Sequence, residues 1–127
     1  MTGGPQLDAY ERARVAARAA AEKKASDIVL LDVGDIIGIA DVFVITSGNN
    51  TRQVRTICEE IEEALQIEAD SSPRGVEGVR DGSWVLLDYG DVIVHVFLEE
   101  TRAFYGLERL WSDADRVEWQ PPEAATL

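Results

Sequence analysis

The chain has 127 residues, 46% hydrophobic and 28% charged, the balance of one globular domain rather than a disordered segment. Acidic residues number 24 against 12 basic ones, a formal charge of −12 that disfavours phosphate backbones and anionic membranes and favours a basic protein as partner. One cysteine, Cys58, excludes an intrachain disulfide, no apolar run approaches the ~20 residues that span a bilayer, and the N-terminus lacks a leader-like stretch, so a cytoplasmic protein is expected.

Leu7 to Lys24 is rich in Ala, Arg, Glu and Lys, all strong helix formers. Its apolar stripe, Leu7, Tyr10, Ala17 and Ala21, is narrow, so this helix is expected to pack by one edge or to serve an interface. Ile28 to Val33 reads as a buried strand, and Gly34-Asp35 as a turn. Asp41 to Thr46 is a second strand ending in the polar loop Ser47-Gly48-Asn49-Asn50. From Thr51 to Ile67, Val54, Ile57, Cys58, Ile61 and Leu65 recur at helical spacing, with Asn50 and Gln53 as a capping box. Cys58 lies on that apolar face and reads as a core residue, while Glu59, Glu60, Glu62 and Glu63 form the solvated side.

Ala69 to Ser83 is turn-rich, with a short strand at Arg74 to Gly78. Two strands follow, Ser83 to Asp88 and Asp91 to Leu98, joined at Tyr89-Gly90. A last helix is expected from Thr101 to Trp111, with Phe104, Leu107 and Trp111 on one side. The order predicts a compact α/β domain over residues 1–112, with a mixed sheet of about five strands, flanking helices and a right-handed crossover after the second strand. Residues 113–127 read as a tail, disordered beyond Trp119, where Pro121-Pro122 and small residues gather.

The segment Asp88 to Phe97 poses the chemical question, because it sets the only histidine, His95, and Asp91 in a strand-like run. A two-residue Tyr-Gly loop would pair Asp88 with Asp91, placing like charges together and forcing φ > 0 on Tyr89. A three-residue loop with Gly90 left-handed avoids both, pairs Leu87 with Asp91 and Trp84 with Val94, and is preferred. In either register Val92, Val94 and Val96 form the core face, and Asp91, Ile93, His95 and Phe97 a mixed face open to solvent or a partner.

Asp88, Asp91 and His95 could supply metal ligands on paper, but no second histidine, HxxxH or CxxC completes a set, so no metal is expected. His95 has Ser83 and Asp91 near it in sequence but no nucleophile elbow, so hydrolysis is not expected either. Thr46 to Asn50 reads as a strand-to-helix turn rather than a phosphate loop. Trp84, Tyr105 and Trp111 fit an interface as well as a core.

The run from Trp84 to Trp111 resembles the C-terminal signature of the ribosomal silencing factor (RsfS, Iojap-like) family. Trp84, Asp88, Gly90, Asp91, His95, Val96, Phe97, Arg102, Tyr105, Leu107, Glu108, Leu110 and Trp111 carry that likeness. Asp41 to Val54 and Gly75 to Gly78 resemble two further family blocks, so the likeness spans Leu7 to Trp111. Two departures stand out: Ala40 where Thr or Ser is common, and Gly106 inside the last helix, costing about 1 kcal/mol against Ala.

The resemblance implies a nucleotidyltransferase-like α/β fold without transferase activity or cofactor. It implies binding to the large ribosomal subunit through its fourteenth numbered protein, a basic protein at the subunit-joining face. That binding would block association with the small subunit and repress translation under nutrient limitation, with little nucleic-acid contact. Many such proteins dimerise. On this reading Trp84 is an apolar anchor, Asp88, Asp91 and Glu108 are acidic contacts, and His95, Tyr105 and Trp111 shape or support the patch. The rivals are a metal-dependent or nucleotidyltransferase-like enzyme built on Ser47-Gly48 and Asp88/Asp91, and an oligomeric scaffold using the alanine-rich first helix.

Overall fold

The computed structural model describes residues 7–110 and 112–119. Helix α1 (Ala9–Glu22) opens with a reciprocal cap: Glu11 N–H donates to Asp8 Oδ1 (2.8 Å) and Asp8 N–H to Glu11 Oε1 (3.0 Å). After it come β1 (Ser26–Asp32), α2 (Gly34–Ile37), β2 (Val42–Gly48), α3 (Thr51–Ala69) and β3 (Gly75–Glu77). The chain continues through β4 (Trp84–Asp88), β5 (Val92–Leu98), α4 (Glu99–Tyr105), α5 (Leu107–Leu110) and β6 (Asp115–Arg116).

The strands form one mixed sheet in the order β3-β4-β5-β2-β1-β6. The central pair β2–β5 is parallel and every other pairing is antiparallel. All seven residues of β2 are buried, as expected for a strand covered on both faces. Val92, Val94 and Val96 of β5 alternate onto the face packed by α1 and α3, against Val54, Ile57, Ile61 and Leu65. Ile45, Phe97, Leu31, Val33 and Phe43 form a separate cluster on the other face.

Helix α1 does not pack by a narrow edge. Ala13, Ala16, Ala17 and Ala20 are fully buried, because methyl side chains let the helix backbone approach α3 and the sheet closely. Its C-terminal carbonyls at Lys23 and Lys24 accept from Gln53 Nε2 (3.1 Å each). Gln53 Oε1 accepts from Asn49 N–H rather than Asn50 N–H, so Asn50 caps α3 without the second half of a capping box. Gly34-Asp35, expected as a turn, begins the four-residue α2.

The β4–β5 hairpin takes neither expected register. Asp88 pairs with Ile93, Leu86 with His95 and Trp84 with Phe97, leaving Tyr89, Gly90 and Asp91 between the strands, with Tyr89 N–H donating to the Val92 carbonyl (2.9 Å). Asp88 stabilises it: its Oδ1 accepts from Gly90 N–H (2.8 Å), with Gly90 at φ +90°, and from Arg74 Nε (3.2 Å). This register keeps Trp84 on the His95 face, whereas the preferred pairing of Leu87 with Asp91 would have put it among the valines.

The last helix is also different. Gly106 sits at φ +58° and ends α4, and α5 restarts at Leu107. The break separates Phe104, which is exposed, from Leu107, which is buried. Beyond it, β6 adds a sixth strand where a tail was expected, pairing with Leu31 and Asp32, and Trp119 Nε1 donates to the Ile28 carbonyl (3.3 Å). Trp111 and residues 120–127, including the segment expected to be disordered, lie outside the described residues.

Candidate functional site

At the C-terminal end of β5 the second sheet face carries a connected run of aromatic rings. Phe43 from β2 meets the His95 ring edge-to-face with centroids 4.8 Å apart. The Trp84 indole stacks on Phe97 (4.8 Å, 30°) and contacts Tyr105 (5.0 Å), which in turn meets Phe104 at right angles (5.1 Å). The run emerges from the core: His95 and Phe97 are buried, Trp84 is half-buried, and Tyr105 and Phe104 are 52% and 81% exposed.

Local sequence explains this exit. Leu98 ends β5 with extended backbone and α4 follows immediately, so Thr101, Phe104 and Tyr105 stand beside the start of β4. With Ser83, Trp84 and Glu100 they line an open cleft of ≈ 470 Å³. Leu98 N–H donates to the Ser83 carbonyl (2.8 Å), which ties the two strand ends together.

His95 is 5% exposed, and burial lowers its pKa to about 4, so the ring is neutral at physiological pH. Its Nδ1 accepts from Trp84 Nε1–H (3.2 Å), and its Nε2 is buried without a hydrogen-bond partner among the described residues. Asp91 lies outside β5, in the hairpin loop, where its carboxylate pairs with Arg12 of α1 (2.6 Å). Asp88 is at the same far end of the hairpin, engaged with Arg74 and the turn. Asp88, Asp91 and His95 are therefore not convergent, and among the described residues no group of three or more His, Cys, Asp or Glu could hold a metal ion.

Glu108 turns inward. Both its oxygens accept from Arg102 (Nε 3.2 Å, Nη2 2.6 Å), and this pairing holds its carboxyl below the ordinary 4.5. Arg102 is 8% exposed and also donates from Nη1 to Ser47 Oγ (3.1 Å) and to the Ser26 carbonyl (3.3 Å). Ser47 is thus consumed in a structural network, and the start of α3 is occupied by its own caps. Cys58 is buried, and desolvation pushes its thiol up to about 12, consistent with a core residue.

Of the seven sequence-nominated residues, Trp84, His95 and Tyr105 come together; Asp88 and Asp91 lie at the other end of the hairpin, Glu108 braces Arg102, and Trp111 is outside the described residues. The expected helix grouped Phe104 with Leu107 and Trp111 on one side, yet Phe104 is the most exposed ring of the run. Gly106 was the available signal, because a left-handed break frees the preceding residues from the periodicity of the following ones.

Comparison with known proteins gives a consistent result. The family model described as "Ribosomal silencing factor during starvation" matches residues 6–126. A ribosomal silencing factor RsfS from Halalkalibacterium halodurans is 43% identical over 108 residues, 85% of this chain and 92% of that protein. The Bacillus subtilis RsfS is 43% identical over 101 residues, 80% of this chain and 85% of the relative. Chloroplastic Iojap from Zea mays is 34% identical over 102 residues, 80% of this chain but 44% of the longer relative. A crystal structure of a Chromobacterium violaceum protein superposes with a TM-score of 0.79 at 33% identity, covering 84% of this chain and 88% of that one. A family match over almost the whole chain, relatives above 40% identity and the shared fold together establish that this chain belongs to the ribosomal silencing factor (RsfS, Iojap-like) family.

Proposed function

We propose that this protein is a non-catalytic translational repressor that docks on the large ribosomal subunit and sterically prevents the small subunit from joining. The family membership supports ribosome association, and the site chemistry supports a docking face rather than an enzyme centre. The observation that carries the reading is the aromatic run that leaves the core at Trp84 and ends in exposed Tyr105 and Phe104. Exposed contiguous aromatics are unfavourable in water and are the side chains that supply most binding energy at protein interfaces.

The partner class follows from charge. Glu99 and Glu100 open α4 beside the aromatic patch, and the whole chain carries −12. A basic ribosomal protein at the joining face, the fourteenth numbered protein of the large subunit, is the partner we assign. Acidic complementarity speeds and orients such an encounter, while Trp84, Tyr105 and Phe104 supply the apolar contact. Asp88, Asp91 and Glu108 act as internal braces on this reading, because each carboxylate is already committed to an arginine. Repression under nutrient limitation and a cytoplasmic location belong to the same proposal.

Sucrose-gradient co-sedimentation with separated ribosomal subunits tests it. The protein should travel with isolated large subunits and not with small ones. Equal partition between both, or none with either, would remove the ribosomal reading.

A further inference from the structure

The aromatic run contains one residue whose chemistry docking alone does not explain. His95 is buried between Phe43, Trp84 and Phe97, a site that an apolar ring would fill. As a histidine it carries two ring nitrogens into that site, and among the described residues only one finds a partner. Because Nδ1 accepts from the Trp84 indole, the neutral ring holds its proton on Nε2, and that N–H is buried unpaired. An unpaired buried donor opposes folding. A histidine here is therefore worse for stability than phenylalanine would be, unless its other nitrogen does something phenylalanine cannot.

That nitrogen meets the single polar atom of Trp84. The indole stacks on the Phe97 ring and contacts Tyr105, but such ring contacts leave it free to slide or flip in its plane. A directional N–H···N bond from Nε1 to a buried acceptor removes that freedom. The acceptor is itself immobile, since His95 sits in β5 between β4 and β2 with Leu86 and Ile45 as its register partners.

Resting on the docking reading above, we propose that His95 is a positioning residue for the docking face: its Nδ1 lone pair selects and holds the one Trp84 orientation that the ribosomal partner meets. His95 does not touch the partner. It lowers the conformational cost of binding by presenting the indole already fixed, at the expense of an unpaired Nε2–H in the core.

The test compares urea unfolding and affinity for isolated large subunits in wild type, His95→Phe, His95→Leu, His95→Asn, Trp84→Phe and the Trp84→Phe/His95→Phe double variant. His95→Phe and His95→Leu remove both nitrogens; His95→Asn keeps an acceptor oxygen near the place of Nδ1. The apolar variants should unfold at similar or higher urea yet bind about three- to tenfold more weakly, the worth of one hydrogen bond. Their Trp84 indole N–H resonance, assigned by its absence in Trp84→Phe, should shift and exchange faster. His95→Asn should bind within about twofold of wild type, which a purely structural role for the ring would not produce. In the Trp84→Phe background, His95→Phe should cause no further loss. The proposal falls if the apolar variants bind like wild type while Trp84→Phe binds weakly, or if His95→Phe costs the same with and without Trp84. If Trp84→Phe itself binds like wild type, the indole is not part of the contact and this proposal falls, whereas failure of wild type to co-sediment with large subunits would remove the docking reading itself.

Discussion

Arg102 and Glu108 form a two-point ion pair across the break at Gly106, with contacts of 2.6 and 3.2 Å. The arginine is the buried partner, and it reaches from α4 to Ser47 on β2 and Ser26 on β1. One side chain thus anchors the helix that displays Tyr105 and Phe104 to the middle of the sheet.

Removing the carboxylate should destabilise the protein. Glu108→Ala leaves a buried guanidinium short of its counter-ion, a loss of about 2 kcal/mol after allowing for the partial exposure of Glu108. Because pairing lowers the folded-state pKa of Glu108 below 4.5, its stabilisation is present above that value and lost as pH falls through the lower, folded value. Urea denaturation between pH 6 and pH 3 checks this: Glu108→Gln should flatten the acid limb.

His95 has the opposite acid-base consequence from an ion-paired histidine. Its folded pKa, about 4, lies below the ordinary 6.5, so the unfolded chain binds more protons between those values. Stability should be complete above pH 6.5 and should decline as pH falls toward 4, by up to about 3 kcal/mol from this residue. His95→Phe should remove that slope. An imidazole resonance titrating near pH 6.5 in the folded protein would contradict the buried neutral ring.

Two glycines with positive φ should respond differently to alanine. At Gly106 (φ +58°) an added Cβ meets nothing within 4 Å, so only left-handed strain opposes it, about 1 kcal/mol. At Gly78 (φ +88°) the Cβ would strike the Trp84 carbonyl oxygen, so the loop before β4 must move. Gly78→Ala should therefore cost well over 2 kcal/mol or prevent folding. Thermal melts of the pair decide this, and equal melting temperatures would contradict it.

Asp91 offers a separation of roles. Its bond to Arg12 joins the hairpin loop to α1, with Asp91 40% and Arg12 14% exposed at the side chain. Asp91→Asn should cost about 1 kcal/mol of stability and leave large-subunit affinity unchanged. Lost affinity at full stability would instead put this carboxylate in the interface.

What could be read in the sequence divides along local and non-local lines. The valine face of β5 and the α3 stripe follow from periods of 2 and 3.6, and both match the packed face. The hairpin register did not follow from turn rules, because Asp88, which closes the turn, is also held by Arg74, a contact 14 residues apart. The burial of α1 was hidden because its core positions are alanines, which carry little hydrophobic signal but permit close approach. The resemblance made Asp91 an expected acidic contact, and its pairing with Arg12, 79 residues away, could not be read from local sequence. Trp84, His95 and Tyr105 were nominated by sequence and do converge, but the exposed Phe104 depended on a helix break that helical periodicity smoothed over.

On the proposed function, the aromatic face docks on the large subunit and keeps the small subunit away. Light scattering during mixing of purified subunits, with wild type and with Tyr105→Ser/Phe104→Ser, tests it directly. Both side chains are largely exposed, so the double variant should keep its fold, confirmed by an unchanged melting temperature. Wild type should suppress the scattering rise from subunit joining, and the double variant should restore it by tenfold or more in the concentration required, roughly the loss of one interface hot spot. Equal suppression by both proteins at unchanged stability would contradict the account.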